Sequence, residues 1–244
     1  MSSLAGHSIL ITRSADDCDE WALALEDEGA TVVVLPCIHI ERIDTESLRQ
    51  EIAVELPQAD WLVFTSRRGI DAFAALHAEA LPSFVNIAVV GPATADAAVV
   101  AFGRADLVSE MGTAASLAQA LEARITEQPM RVLIAVAENA GDTIEETLRE
   151  AGATCTRIDV YRTVPAAELR RKEPLSSFDA DNIFFASPSA VRGFVNQVEL
   201  DTEAAIFTIG PTTTEAVLEE DLDLTDQAKN PGLDGLMEAL RCAN

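Results

Sequence analysis

Short apolar runs alternate with helix-length amphipathic segments from one end of the chain to the other. The runs fall at residues 9–12, 31–35, 61–65, 87–90, 132–136, 155–160, 183–186 and 205–209, each about as long as a strand. Between and after them, residues 16–28, 69–77, 93–102, 114–124, 143–151, 189–198, 212–220 and 233–242 read as helices. Strands alternating with helices predict an α/β protein with parallel sheets. Eight strands are enough for two small sheets.

The pattern repeats. Asp60-Trp61-Leu62-Val63-Phe64-Thr65-Ser66 aligns with Asp181-Asn182-Ile183-Phe184-Phe185-Ala186-Ser187, and Phe73 then falls on Phe194. Gly91-Pro92-Ala93-Thr94 aligns with Gly210-Pro211-Thr212-Thr213. Gly29-Ala30-Thr31 meets Gly152-Ala153-Thr154, with Leu10-Ile11 on Leu133-Ile134. The three blocks are displaced by 121, 119 and 123 residues, so they share nearly one offset, which ordinary strand-turn-helix grammar does not produce by itself.

Composition narrows the function. A chain of 244 residues with 48% hydrophobic residues can bury a substantial core. The most apolar stretch, residues 85–103, is interrupted by Asn86, Gly91, Pro92, Thr94 and Asp96, too often for a membrane span. No basic, apolar leader precedes Gly6 and His7, and four scattered cysteines read as free thiols, so a cytoplasmic protein is expected. Neither the cysteines nor the three histidines have metal-ligand spacing, so no metal is expected. A net charge of −24 argues against nucleic-acid or anionic-membrane partners and reads as a solvated acidic surface, which says nothing about a pocket.

In open parallel sheets the ligand lies beyond the carboxyl ends of the strands. Gly91-Pro92-Ala93-Thr94 and Gly210-Pro211-Thr212-Thr213 each end a strand with Gly and open a helix with Pro, which has no N–H to waste there. The free N–H groups of such a helix start, with the Thr hydroxyls, suit an anion. Ser66, Ser187 and Ser189 add hydroxyls at two more helix starts, and Arg13, Arg67, Arg162 and Arg192 stand near strand ends. Simple helix capping and solvated surface arginines explain any one of these loops better when it is taken alone, and the repetition across both halves narrows that advantage. A Gly-rich dinucleotide loop, a P-loop and a Gly-x-Ser-x-Gly elbow are all missing from the sequence, so no nucleotide cofactor or serine-hydrolase chemistry is expected.

Six segments in order, Ile9-Leu10-Ile11-Thr12-Arg13, Asp60 to Ser66 with Phe73, Val90-Gly91-Pro92-Ala93-Thr94-Ala95, Val160-Tyr161-Arg162-Thr163, Phe185-Ala186-Ser187-Pro188-Ser189-Ala190-Val191 and Ile209-Gly210-Pro211-Thr212-Thr213, resemble the uroporphyrinogen-III synthase family. Ala186, where Thr or Ser is commoner, and Thr214, where Ala is usual, depart from its pattern. The resemblance implies two similar three-layer α/β domains with parallel sheets, joined by a two-stranded β ladder that the chain crosses twice. Residues 36–41 and 161–165 would form the ladder, 1–36 with 166–244 one domain, and 42–160 the other.

It also implies a cofactor-independent enzyme, a lyase that cyclises hydroxymethylbilane to uroporphyrinogen III with loss of water and inversion of ring D. The substrate is a linear tetrapyrrole with eight carboxylates. Tyr161 would assist departure of the hydroxyl, while Thr94, Thr213, Ser66, Ser187 and Ser189 would bind carboxylates or orient the bilane. Arg13, Arg67, Arg192, Gly91, Gly210 and Thr212 complete the expected binding set. A monomer is expected, in transient contact with the enzyme that supplies the bilane.

Two other readings stay open at this point. One is a non-enzymatic two-lobed ligand-binding or sensor protein, which would use the same strand-end loops. The other is a tandem receiver-like signalling protein, although the first strand lacks the acidic pair that would hold Mg²⁺ and the acidic run after it reads as helix surface.

Overall fold

A computed structural model describes residues 4–109, 111–125 and 130–243, the side chain of residue 16 apart. The chain runs β1 (Ser8–Ile11), α1 (Ala15–Asp27), β2 (Thr31–Val34), β3 (Ile38–Arg42), α2 (Glu46–Glu55), β4 (Trp61–Phe64), α3 (Arg67–Leu76) and β5 (Asn86–Val89). It continues through α4 (Pro92–Phe102), β6 (Leu107–Val108), α5 (Ala114–Glu122), β7 (Arg131–Ala137), α6 (Thr143–Glu150) and β8 (Thr154–Pro165). The last third holds β9 (Glu173–Pro174), β10 (Asn182–Phe185), α7 (Pro188–Gln197), β11 (Val198–Glu199), β12 (Ala205–Thr208), α8 (Pro211–Glu219), β13 (Leu224–Gln227) and α9 (Leu233–Cys242).

These elements form two compact units, Met1–Ile40 with Thr163–Asn244, and Glu41–Arg162. The chain passes from one to the other within β3 and returns within β8. In the discontinuous unit a parallel five-stranded sheet has the order β13-β12-β10-β1-β2. The period-two geometry of a strand sends Ile9 and Ile11 to one face and Leu10 to the other. The first face packs on Trp21 and Leu25 of α1 and Leu236 and Leu240 of α9, the second on Val191 and Phe194 of α7 and Val217 of α8. With both faces covered, β1, β2, β10 and β12 are mostly apolar, as the runs in the sequence require.

The continuous unit carries the parallel order β8-β7-β4-β5-β6, with β3 alongside β8. One face packs on Leu117 and Leu121 of α5 and Ile144 and Leu148 of α6. The other holds an aromatic group in which Phe64 meets Phe73 edge-on at 5.5 Å and stacks on Phe102 at 5.8 Å.

The sequence repeat is a structural repeat down to register. Ile9 pairs with Asn182 and Val132 with Trp61; Ile9 pairs with Val32 and Val132 with Cys155; Asn182 pairs with Ala205 and Trp61 with Asn86. Each second pair is the first displaced by the repeat offsets. Phe185 meets Phe194 edge-on at 5.3 Å, as Phe64 meets Phe73. The connectivity is permuted: the discontinuous unit begins at β1 and β2, whereas the continuous unit begins at β4, the counterpart of β10.

The structure also has elements that the apolar runs do not predict. Helix α2 buries little beyond Leu48 and Ile52, so it has no broad apolar stripe. Strands β6, β9 and β11 have two residues each, and β13 reads Leu-Thr-Asp-Gln, which has no apolar run.

Candidate functional site

The order in which strands are added reverses between β1 and β10 in one parallel sheet and between β7 and β4 in the other. Crevices at such switch points, beyond the carboxyl ends, are where open α/β sheets take ligands. In the continuous unit this edge brings two expected residues into contact. The Ser66 hydroxyl accepts the Gly69 N–H at 3.1 Å, capping α3, and lies 3.0 Å from the Tyr161 hydroxyl. Tyr161 reaches Ser66 from β8, two strands away. Its strand shifts register between Val136 and Ala137, so Ala137 pairs with Tyr161 rather than Val160. A bulge of this kind re-aims a side chain, and here both Val160 and Tyr161 are buried in succession.

Arg157, four residues before Tyr161 on the same strand, was not among the expected residues. Its Nε donates to Asp159 Oδ1 (2.8 Å), Nη1 to Glu145 Oε1 (3.2 Å) and Ala140 O (3.1 Å), and Nη2 to Ala137 O (2.8 Å) and Glu138 O (3.2 Å). Glu145 is buried at 2% exposure. Burial alone lowers the Arg157 pKa, but the bond to Asp159 and the charges of Asp159 and Glu145 outweigh it and hold the guanidinium above its usual range. Charged residues two apart in an otherwise apolar strand were the available sequence signal.

The two Gly-Pro corners differ in backbone. Gly91 has φ 77°, a left-handed conformation that favours glycine, whereas Gly210 is extended at φ 174°. Pro92 and Pro211 are the first helical residues, as their missing N–H predicts. Thr94 and Thr213 turn inward, at 5% and 1% exposure, so Pro, Ala93 or Thr212 and the backbone form the outer surface of each corner. Thr214 has a partner set of its own: its hydroxyl lies 2.6 Å from that of Thr208 and donates to Gln227 Oε1 at 2.9 Å.

On the discontinuous unit Ser187 caps α7 by accepting the Ala190 N–H at 3.2 Å, with Ser189 in the first turn. Arg13 pairs with Asp17 at 3.3 Å and lies 4.4 Å over the Trp21 ring. Arg192 pairs with Glu219 at 3.6 Å on the surface, and Arg67 is exposed. Arg162 bonds Glu41 at 2.8 Å, which raises its pKa and turns it away from the role of a free cation. His39 is exposed, and His77 lies against Phe73. Among the described residues no helix is long and apolar enough to cross a membrane.

Known proteins agree with this architecture. The family described as Uroporphyrinogen-III synthase HemD matches residues 19–238. The chloroplastic uroporphyrinogen-III synthase of Oryza sativa is 28% identical over 240 residues, covering 95% of this chain and 79% of that protein. The uroporphyrinogen-III synthase of Synechococcus elongatus is 26% identical, covering 97% and 95%. Among solved structures, the Helicobacter pylori uroporphyrinogen-III synthetase superposes with a TM-score of 0.59 at 17% identity, over 98% of this chain and 100% of that one. A Thermus thermophilus uroporphyrinogen III synthase gives 0.56 at 17% identity, over 98% of both chains. These structural likenesses establish the shared fold, and nothing among the comparisons favours a non-enzymatic sensor. With the family match spanning most of its length, the chain belongs to the uroporphyrinogen-III synthase family.

Proposed function

We propose that this chain closes hydroxymethylbilane to uroporphyrinogen III, inverting ring D with loss of water, as a cytoplasmic monomer without a cofactor. The observation that carries the assignment of roles is the 3.0 Å contact between the Ser66 and Tyr161 hydroxyls. Ser66 spends one lone pair on the Gly69 N–H. With Ser66 as the donor in that contact, the phenol proton is free for the departing hydroxyl of the bilane. That hydroxyl leaves as water, and the electrophilic azafulvene left behind is attacked by the substituted carbon of ring D. The resulting spiro intermediate fragments and recloses with ring D inverted; the proton released on rearomatisation restores Tyr161.

Each unit offers carboxylates its own helix starts, with Ser187, Ser189, Arg13 and Arg192 on the discontinuous unit and Arg67 on the continuous one. The backbone N–H groups of the corners Gly91 to Thr94 and Gly210 to Thr213 and the exposed Thr212 hydroxyl complete the set, with buried Thr94 and Thr213 shaping the corners from within. Amide N–H groups neutralise carboxylates without many full positive charges, which suits a chain of net charge −24. Bilane closes spontaneously to the unrearranged isomer, so control of geometry is the main task of the enzyme.

The test supplies freshly made bilane and separates type III from type I product. Wild type gives type III, and Tyr161→Phe lowers turnover roughly 10²-fold. Wild-type turnover in that variant removes the hydroxyl from the mechanism, and type I product from wild type ends the assignment altogether. Thr213→Ala is expected to cost more activity than His39→Ala or His77→Ala.

A further inference from the structure

The guanidinium of Arg157 has five N–H donors, and each has an acceptor within 3.3 Å. Three are main-chain carbonyls of the turn that follows β7, at residues 137, 138 and 140. That turn is the one that holds Tyr161: the Glu138 N–H donates to the Tyr161 carbonyl at 2.8 Å, and Ala137 is its partner across the bulge. Buried Glu145 at the start of α6 and Asp159 on β8 fix the guanidinium from the remaining sides.

The repeat supplies an internal control. At the 123-residue offset, Arg157, Glu145 and Asp159 fall on Val34, Ala22 and Pro36. The register agrees, since Val34 pairs with Ile11 as Arg157 pairs with Ile134. The discontinuous unit thus builds the same sheet edge from uncharged residues. The charged cluster is not required by the sheet, and it stands in the half that carries the lone tyrosine.

We infer that Arg157 is a positioning residue: by pinning the turn after β7 it holds the bulge in β8 that aims the Tyr161 hydroxyl at Ser66. The inference rests on the proposed role of Tyr161, and it extends that role to a residue that does not itself touch substrate. Lysine is no replacement, because one ammonium cannot span three carbonyls and two carboxylates in a planar fork.

The experiment is a double-mutant cycle with Arg157→Gln and Tyr161→Phe, assayed for kcat and KM with bilane, beside the spectrum of protein labelled at the tyrosine ring carbon that bears the hydroxyl. A single tyrosine gives a single signal. Arg157→Gln is expected to lower kcat roughly 10- to 100-fold, with KM within about threefold. Added to Tyr161→Phe it costs nothing further. Arg157→Lys, the milder change should the glutamine variant fail to fold, is expected to shift or split the tyrosine signal. Losses that add in the double variant, or a tyrosine signal left in place by Arg157→Lys, overturn the inference. Undiminished turnover in Tyr161→Phe overturns the acid role instead, and the ring signal still decides whether Arg157 positions the residue.

Discussion

The two units are nearly the same sheet built from different chemistry at the rim. Both place matching strands in one spatial order and pair them in one register, with an edge-on phenylalanine pair beneath. Where the continuous unit has Arg157, Glu145 and Asp159, the discontinuous unit has Val34, Ala22 and Pro36. Where the discontinuous unit links Thr208, Thr214 and Gln227 by hydroxyls, the continuous unit has Val89, Ala95 and Val108. A common core therefore specifies the architecture, and a few positions at the strand ends give each half its own polar contacts.

The largest effect comes from a position where the halves are not interchangeable. A Cβ on Gly193 would stand 1.8 Å from the Cys37 carbonyl oxygen and 2.9 Å from the Ala166 nitrogen, in contact with backbone that cannot yield cheaply. Its counterpart in the repeat is Ala72, which is accommodated in the core. Gly193→Ala is expected to destabilise the protein by about 3 kcal/mol in chemical denaturation. A loss below about 1 kcal/mol would mean that the two helices sit equivalently on their sheets.

Next come the hydroxyl links. Thr214→Ala restores the residue of the other half but strips a partner from the buried Thr208 hydroxyl, and is expected to cost about 1–2 kcal/mol. The pair Thr208→Val with Thr214→Ala copies the other half at both hydroxyl positions and is expected to recover much of that loss. A double variant weaker than the single one breaks the equivalence of the two corners.

Ser66 and Ser187 cap equivalent helices, so Ser66→Ala and Ser187→Ala are each expected to cost about 1 kcal/mol. Shift of the tyrosine ring signal is expected from the first alone.

The smallest effect is kinetic. Exposed Cys242 is expected to react with a thiol reagent at once, half-buried Cys155 more slowly, and Cys18 and Cys37 last. Burial raises the Cys155, Cys18 and Cys37 thiols above their ordinary range and so keeps them protonated. Labelling rates of Cys155 and Cys37 then report the opening of each unit separately.

Much of this was legible in the chain. Strands buried on both faces leave apolar runs, and the helices expected from 93, 189 and 212 begin one residue earlier, at Pro92, Pro188 and Pro211. Ser66 and Tyr161 were both singled out, but their contact was hidden because it depends on a bulge and on β7 lying between their strands. Arg157 was missed because its partners are mostly main-chain carbonyls, which leave no trace in residue identity. Conversely, the hydroxyls of Thr94 and Thr213 look available in the sequence yet are buried.

The permuted connectivity orders events on the ribosome. Strand β1 finds its neighbour β10 only after more than 170 further residues have been made, as the Ile9–Asn182 pair shows. The inserted unit has all its strands as soon as β8 emerges, and its two ends are already tied where the Ile43 N–H meets the Val160 carbonyl at 3.0 Å. Nascent chains would thus complete the half bearing the tyrosine first, while β1 and β2 remain a sheet fragment with an open edge. Holding that edge from aggregation during elongation is a demand that a chain with two sequential domains would not face.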